Sequence, residues 1–133
     1  MNPHLFVYGS LVAAAAHPKG AQLRQEALFL GPATIAGRLY RVTWFPAILP
    51  AEGPGDRVHG ELYRLVDPIR SLVWLDTYEG ITPGGSSAAA PDQYLRAERP
   101  VMTARGGTER AWVYLYQRPL PAEWHIPDGI WRR

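Results

Sequence analysis

The chain has 133 residues, of which 47% are hydrophobic and 20% are charged, a balance typical of a folded globular protein. It contains no cysteine, which excludes disulfides, thiolate catalysis and cysteine-based zinc sites. Its formal net charge is only +2 and its arginines are scattered, so the basic stripe typical of a nucleic-acid-binding surface is missing from the sequence.

The length predicts one domain spanning residues 1–133. No apolar run approaches the roughly 20 residues that a membrane-spanning helix needs, and the N-terminal sequence has no features of a signal peptide. We therefore expect a cytoplasmic protein with no nucleic-acid partner and no membrane partner. The sequence leaves the oligomeric state open.

The first half of the chain is predicted to consist of short strands and turns. Leu5–Tyr8 is continuously apolar and predicts a strand, and Gln22–Leu28 predicts a brief helix. Ala33–Trp44 alternates between apolar and polar residues, which predicts one strand with Gly37 as a bulge or bend. The proline-containing segment 45–50 is expected to interrupt that strand.

The second half begins with the clearest strand, Arg57–Asp67. A helix is predicted from Pro68 to about Glu79, because Asp67 is a good N-cap, proline suits the first helical position and Gly80 suits the C-terminal stop.

Two further strands are predicted after a small-residue loop at Thr82–Asp92, which we expect to be mobile. They cover residues 93–104 and 110–118, with a turn at Gly106–Gly107, and a proline-rich tail is expected to wrap over the body. Five or six strands with one strong helix indicate a small α+β fold whose sheet curls toward a barrel.

The predicted helix carries two carboxylates on its apolar face. A helical projection at about 100° per residue groups its apolar side chains on one arc: Ile69, Leu72, Val73 and Leu75. Asp76 projects near the middle of that arc and Glu79 within it. A buried charge costs several kcal/mol unless it is paired or neutralised, so each carboxylate needs an explanation.

Two explanations fit Glu79 equally well from periodicity alone. It forms a salt bridge or frays into solvent at the last turn, or it is a general acid and base whose pKa burial has raised. The C-terminal end of the helix dipole favours the raised pKa as well. For Asp76, one turn earlier, we favour the structural role of a hydrogen-bonding partner.

Gly9 and Ser10 follow the first strand directly, and this break has three interpretations. It is an ordinary turn, a serine nucleophile, or a nest of backbone N–H groups that binds an anion. The nucleophile is the weakest, because Ser10 lacks the G-x-S-x-G context and a positioned base. The histidines offer no paired metal-ligand spacing: His4, His17, His59 and His125.

Eight segments occur in the order and at the spacing that one known family shows: LFVYGSL, AGRLYRV, FPAIL, RVHGELYRL, WLDTYEG, YLRAERPV, AWVYLY and IPDGIW. With these segments the chain resembles the γ-glutamylcyclotransferase-like family, which includes γ-glutamylamine cyclotransferases and plant avirulence-induced relatives. The resemblance implies an α+β fold, a compact mixed β-barrel of about six strands flanked by short helices.

The resemblance also implies an enzymatic activity without a cofactor. In enzymatic relatives the free α-amine of a small γ-glutamyl compound attacks its own side-chain carbonyl, which releases 5-oxoproline and an amine, an acyl-transfer or lyase reaction. The family's L-D-x-Y-E-G segment implies that Glu79 is the catalytic acid and base.

The family's Y-G-S-L loop implies substrate binding by a group of neighbours: Tyr8, Gly9, Ser10 and Leu11. Tyr116 lies where relatives place a tyrosine that faces the site. Tyr40 and Tyr94 are weaker candidates for the pocket, since barrel packing accounts for them as well. The alternative function is a non-catalytic domain of the same fold that binds a small anion or a partner.

Overall fold

The computed structural model describes residues 1–9, 11–12, 17–82 and 92–132. Its strands and helices, in chain order, are β1 His4–Val7, α1 Pro18–Glu26, β2 Ala27–Ala36, β3 Arg38–Val42, β4 Phe45–Leu49, β5 Arg57–Leu65, α2 Pro68–Tyr78, β6 Tyr94–Thr103, β7 Thr108–Tyr116 and β8 His125–Ile126. A 3₁₀ turn at Ala122–Trp124 precedes β8. No helix among the described residues is long and apolar enough to cross a membrane.

Five strands form a closed barrel in the order β1-β5-β2-β6-β7. Four neighbouring pairs are antiparallel, and the barrel closes through a parallel pairing of β1 with β7 at Leu5 and Trp112. The remaining strands form a three-stranded sheet in the order β4-β3-β8. The predicted mixed barrel with short helices is therefore confirmed, and the strands outside the barrel form a separate sheet.

Two apolar clusters stabilise this arrangement. One joins the helices to the barrel and contains fully buried Leu23 of α1, Leu75 of α2 and Leu5 of β1. The other joins the barrel to the three-stranded sheet and contains Phe6 and Ile48. Because both clusters include β1 residues, the C-terminal end of β1 is held from two sides.

The segment after Trp44 differs from the sequence prediction. Phe45–Leu49 was expected to interrupt a strand, but it forms β4, which pairs with β3. Pro46 is accommodated because β4 is an edge strand, where a missing N–H leaves no ladder hydrogen bond unmade. The predicted single strand Ala33–Trp44 is two strands in two sheets, and the chain bends between them at Gly37 as expected.

Helix α2 begins and ends where its sequence predicts. The Asp67 side chain accepts a hydrogen bond from the Arg70 N–H at 3.2 Å, and Gly80 follows the helix with φ +76°. The predicted buried arc is wrong in half its members, because Ile69 and Val73 are 68% and 66% exposed.

The buried side of α2 includes Ser71 instead of those two residues. Ser71 donates a hydrogen bond to the Glu26 carboxylate at 2.6 Å, and this contact with the end of α1 sets the rotation of α2 about its axis. Helix α1 itself begins earlier than predicted, at Pro18, since the His17 ring caps it by accepting from the Lys19 N–H at 3.0 Å.

Two other predictions concern loops. The turn between β6 and β7 lies at Gly106, whose φ of +87° requires glycine. Of the loop Thr82–Asp92, residues 83–91 lie outside the described residues, so its expected mobility stays a prediction. At its two ends the Asp92 carboxylate accepts hydrogen bonds from the Thr82 N–H at 2.7 Å and from its hydroxyl at 2.5 Å.

Candidate active site

A cavity of about 350 Å³ opens at the C-terminal end of β1. Its wall combines that strand end with the start of β4, the end of α2 and two neighbouring barrel strands. The lining residues are Phe6, Val7, Tyr8, Gly9, Leu11, Phe45, Pro46, Tyr78, Glu79, Gly80, Gln93, Tyr94 and Tyr114. The wall is largely apolar and aromatic, and Glu79 is its only charged residue among the described ones.

Gly9, two residues after the end of β1, is required by close packing. A Cβ at Gly9 would lie 2.5 Å from the Cγ of Pro46, so any larger residue would displace the start of β4. Gly9 also begins a turn, in which its carbonyl accepts from the Val12 N–H at 3.1 Å. Its φ is not in the left-handed region, so conformational freedom is not what selects glycine here. Ser10, the centre of the predicted nest, lies outside the described residues.

Glu79 lies at the C-cap of α2, where its N–H donates to the Leu75 carbonyl at 3.0 Å. Burial, and in second place the charge of Asp76, raises the pKa of its carboxyl from 4.5 to about 7. Among the described residues, no arginine, lysine or histidine forms an ion pair with it. Glu79 is therefore a carboxyl group that exchanges a proton near neutral pH.

Asp76 has the opposite environment, although it lies only one turn earlier. Its carboxylate accepts from Arg96 Nε at 2.8 Å and from Arg96 Nη2 at 3.2 Å, and also from the Tyr114 hydroxyl at 2.6 Å. The structure thus places Asp76 as a hydrogen-bonding partner, the role that the sequence favoured.

Four of the described tyrosines line the cavity, and three of them interact electrostatically with Glu79: Tyr8, Tyr94 and Tyr114. The Tyr8 hydroxyl donates to the Tyr114 carbonyl, and the Tyr94 hydroxyl donates to the Pro46 carbonyl at 2.5 Å. Burial raises the pKa of Tyr8, Tyr94 and Tyr114 above the ordinary value of 10.0. All three are therefore neutral at physiological pH and act as fixed dipoles in the cavity wall.

The other predicted tyrosines lie elsewhere. Tyr116 is not among the residues that line the cavity. Its ring packs edge-on against that of the lining residue Tyr94, with centroids 5.2 Å apart. Tyr40 belongs to the second sheet, where its hydroxyl accepts from Arg38 at 2.5 Å and its ring lies 5.2 Å from that of His125.

Tyr114 and Tyr78 were missed by the sequence analysis. Tyr114 could have been found, since it lies two residues before Tyr116 and shares its side of β7. Tyr78 projects outside the apolar arc, and only the packing of α2 shows that it reaches the cavity. Among residues 1–9, 11–12, 17–82 and 92–132 no three histidine, aspartate or glutamate side chains are grouped as metal ligands.

Comparison with known proteins agrees with this architecture. A family model described as "Gamma-glutamyl cyclotransferase, AIG2-like" matches residues 5–133. The chain belongs to this family. Gamma-glutamylcyclotransferase family protein ytfP of Citrobacter rodentium is 33% identical over 128 residues, which cover 96% of this chain and 93% of that protein. The Escherichia coli K12 protein YtfP is also 33% identical, over 129 residues, with 96% and 94% coverage.

Solved structures show the same fold at lower identity. YkqA from Bacillus subtilis superposes with a TM-score of 0.71 and 22% identity, over 98% of this chain but only 40% of that longer chain. A mouse AIG2-like protein gives a TM-score of 0.65 at 24% identity, over 92% of this chain and 81% of that one. At these identities the comparison concerns the fold alone.

Proposed function

We propose that the protein is a γ-glutamyl cyclotransferase that converts a small γ-glutamyl compound into 5-oxoproline and a free amine, with Glu79 as the general acid and base. The observation that carries this proposal is a single carboxyl group, with a pKa of about 7, in the wall of a cavity without another charged residue among the described ones. Membership of the family supplies the reaction class.

The chemistry moves two protons from the attacking nitrogen to the leaving nitrogen. The substrate's α-amine is mostly an ammonium at neutral pH, and Glu79 accepts its first proton. The amine nitrogen then bonds to the γ-carbonyl carbon to close a five-membered ring, and the bond from that carbon to the leaving nitrogen breaks as Glu79 gives the proton to that nitrogen. Glu79 then takes the second proton from the ring nitrogen, which becomes the N–H of 5-oxoproline, and passes it to the released amine, which leaves as an ammonium. A carboxylate whose pKa is raised to about 7 accepts a proton from an ammonium at lower cost than a carboxylate with the ordinary pKa of 4.5.

The strand end would hold the substrate. In this proposal the backbone N–H groups of Gly9, Ser10 and Leu11 bind the substrate's carboxylate or the developing oxyanion, and the neighbouring Tyr8 ring fixes its position. Each donor to an oxyanion contributes about 3–4 kcal/mol in other acyl-transfer sites. Because nucleophile and electrophile belong to one molecule, the cavity mainly imposes the conformation that closes the ring. The reaction needs no cofactor.

The test is release of 5-oxoproline from a panel of γ-glutamyl amines, amino acids and peptides, measured with the purified protein. We expect turnover of at least one member of the panel. Glu79→Gln should lower kcat/KM for that substrate at least about 100-fold, the lower range for losing a general acid and base, while substrate affinity changes little.

The matched control is Glu26→Gln, the same substitution at the end of the other helix and outside the cavity. Its kcat should equal that of the unchanged protein once corrected for the folded fraction. Normal turnover by Glu79→Gln would contradict the mechanism. Tight binding of γ-glutamyl compounds without any turnover would favour a non-catalytic binding domain instead.

A further inference from the structure

Asp76 and Glu79 share one side of the end of α2. They are three positions apart in the sequence, and the i,i+3 spacing of a helix brings their β-carbons to about 5–6 Å. The helical hydrogen bond from the Glu79 N–H to Leu75 keeps this spacing up to the C-cap. Two carboxylates are thus held next to each other, one inside a cavity wall and one behind it.

The Asp76 carboxylate is fixed by side chains from two barrel strands. Arg96 of β6 binds it through two nitrogens, and Tyr114 of β7 donates its hydroxyl to the same oxygen that Arg96 Nε contacts. The Arg96 guanidinium is held in turn over the Trp112 ring at 4.4 Å. This network attaches the last turn of α2 to the barrel and places the Arg96 guanidinium against the Asp76 carboxylate.

The titratable groups around Glu79 come from four elements. Asp76 and Tyr78 come from α2 itself, and the others are Tyr8 at the end of β1, Tyr94 of β6 and Tyr114 of β7. The start of β4 contributes Phe45 and Pro46, which do not titrate. The ring of His17, the N-cap of α1, packs against the Tyr78 ring with centroids 5.6 Å apart. Tyr8, Tyr94 and Tyr114 stay neutral, and the charged neighbour that raises the pKa of Glu79 in addition to burial is Asp76, the ion-pair partner of Arg96.

We propose that Asp76 is a positioning residue for Glu79, and that Arg96 and Tyr114 hold it so that its partly neutralised charge sets the pH at which Glu79 exchanges its proton. This inference rests on the proposed function for its catalytic meaning. The effect of Asp76 on the pKa of Glu79 concerns the folded protein alone, and it is tested without any substrate.

Two substitutions should move the titration of Glu79 in opposite directions. Asp76→Asn keeps the size and an oxygen acceptor for Tyr114 but removes the negative charge, so the pKa of Glu79 should fall by about one unit. It should remain above 4.5, because burial is the larger cause of the shift. Arg96→Gln removes the neutralising cation, so the full charge of Asp76 acts on Glu79 and the pKa of Glu79 should rise.

The experiment is a carbon-13 NMR titration of the Glu79 side-chain carboxyl in the full chain, together with the pH profile of kcat/KM. Arg110→Gln is the matched control, since it breaks an exposed ion pair with Glu98 on the same two strands, at 3.3 Å. We expect the control to leave the Glu79 titration unchanged. The acid limb of kcat/KM should follow the NMR value in every variant.

Opposite shifts for Asp76→Asn and Arg96→Gln support the proposal, even if the protein releases no 5-oxoproline, in which case the proposed function fails alone. A folded Asp76→Asn variant whose Glu79 titrates as before overturns the proposal, even if Glu79 proves essential for turnover. If Asp76→Asn does not fold, the Arg96→Gln titration decides: a rise supports the proposal, and an unchanged or lower value overturns it.

Discussion

Two glutamates at the ends of two helices have opposite environments. Glu26 is the last residue of α1 and accepts hydrogen bonds from Ser71 at 2.6 Å, Trp74 at 2.9 Å and Gln22 at 3.2 Å. Burial alone would raise its pKa, but these donors outweigh burial and lower it. Glu79 at the end of α2 has burial and a like charge, and its pKa rises to about 7.

Both glutamates contact the same helix at its opposite ends, yet only one is available for proton transfer. Glu26 connects α1 to the first half of α2 as a stably ionised acceptor. The Glu79 carboxyl, in contrast, binds and releases its proton near neutral pH. The number of donors that reach a carboxylate, and not its residue type or its place at a helix end, separates the glutamate with a lowered pKa from the one with a raised pKa.

The largest effect on stability is expected from removing the charge of Glu79. The pKa of the Glu79 carboxyl is raised on folding. Its favourable contribution to the free energy of unfolding is therefore complete below pH 4.5 and is lost as the pH rises through about 7. A change from 4.5 to about 7 corresponds to at most about 3 kcal/mol. Glu79→Gln should therefore be more stable than the unchanged protein at pH 8, by up to that amount, and the gain should vanish toward pH 4.

Urea denaturation at a series of pH values measures this difference. Glu26→Gln serves as the comparison, because it should not gain stability between pH 6 and pH 8. A Glu79→Gln variant with no gain at pH 8 would mean that the folded protein does not penalise the ionised carboxylate, and the contrast between the two glutamates would disappear.

A smaller effect is expected from truncating Glu26. Glu26→Ala leaves the Ser71 hydroxyl and the Trp74 indole N–H without their acceptor, at the contact between the two helices. Loss of these hydrogen bonds to a partly exposed carboxylate should lower the free energy of unfolding by about 1–2 kcal/mol. Thermal unfolding at pH 7 measures this loss of stability. A Tm equal to that of the unchanged protein would show that the contact between Glu26 and α2 does not stabilise the fold.

The smallest effect is expected from Glu26→Gln, which keeps an oxygen acceptor and removes only the charge. The pKa of Glu26 is lowered on folding, so its contribution is present above 4.5 and is lost as the pH falls through the lowered value. The variant should lose less than about 1 kcal/mol at pH 7, and its stability should fall less steeply below pH 4.5. A steeper acid-side fall in the denaturation series would contradict the assignment.

Much of the fold could be predicted from local patterns. The bounds of α2 follow from Asp67, Pro68 and Gly80, because capping and the left-handed conformation are properties of a few adjacent residues. The barrel strands follow from alternation, and the break after β1 from Gly9. The strand β4 was missed because whether a proline can be tolerated depends on which edge of a sheet it occupies.

The sequence predicts the two segments that form the candidate site, but it does not predict that they line one cavity. The sequence itself determined that a carboxylate ends α2 and that a glycine ends β1, since both features lie in short local patterns. The tertiary structure alone decided that Ile69 faces solvent while Ser71 is buried, because contacts with α1 set the rotation of α2.

Tertiary structure also decided which carboxylate has a raised pKa. Arg96 and Tyr114 lie 20 and 38 residues after Asp76, and they reach it only because β6 and β7 pass behind the end of α2. Pro46 and Tyr94 close the cavity over Gly9 from two different sheets. Local pattern fixes which groups a segment carries, whereas burial and charge pairing, which set the pKa, depend on residues remote in the chain.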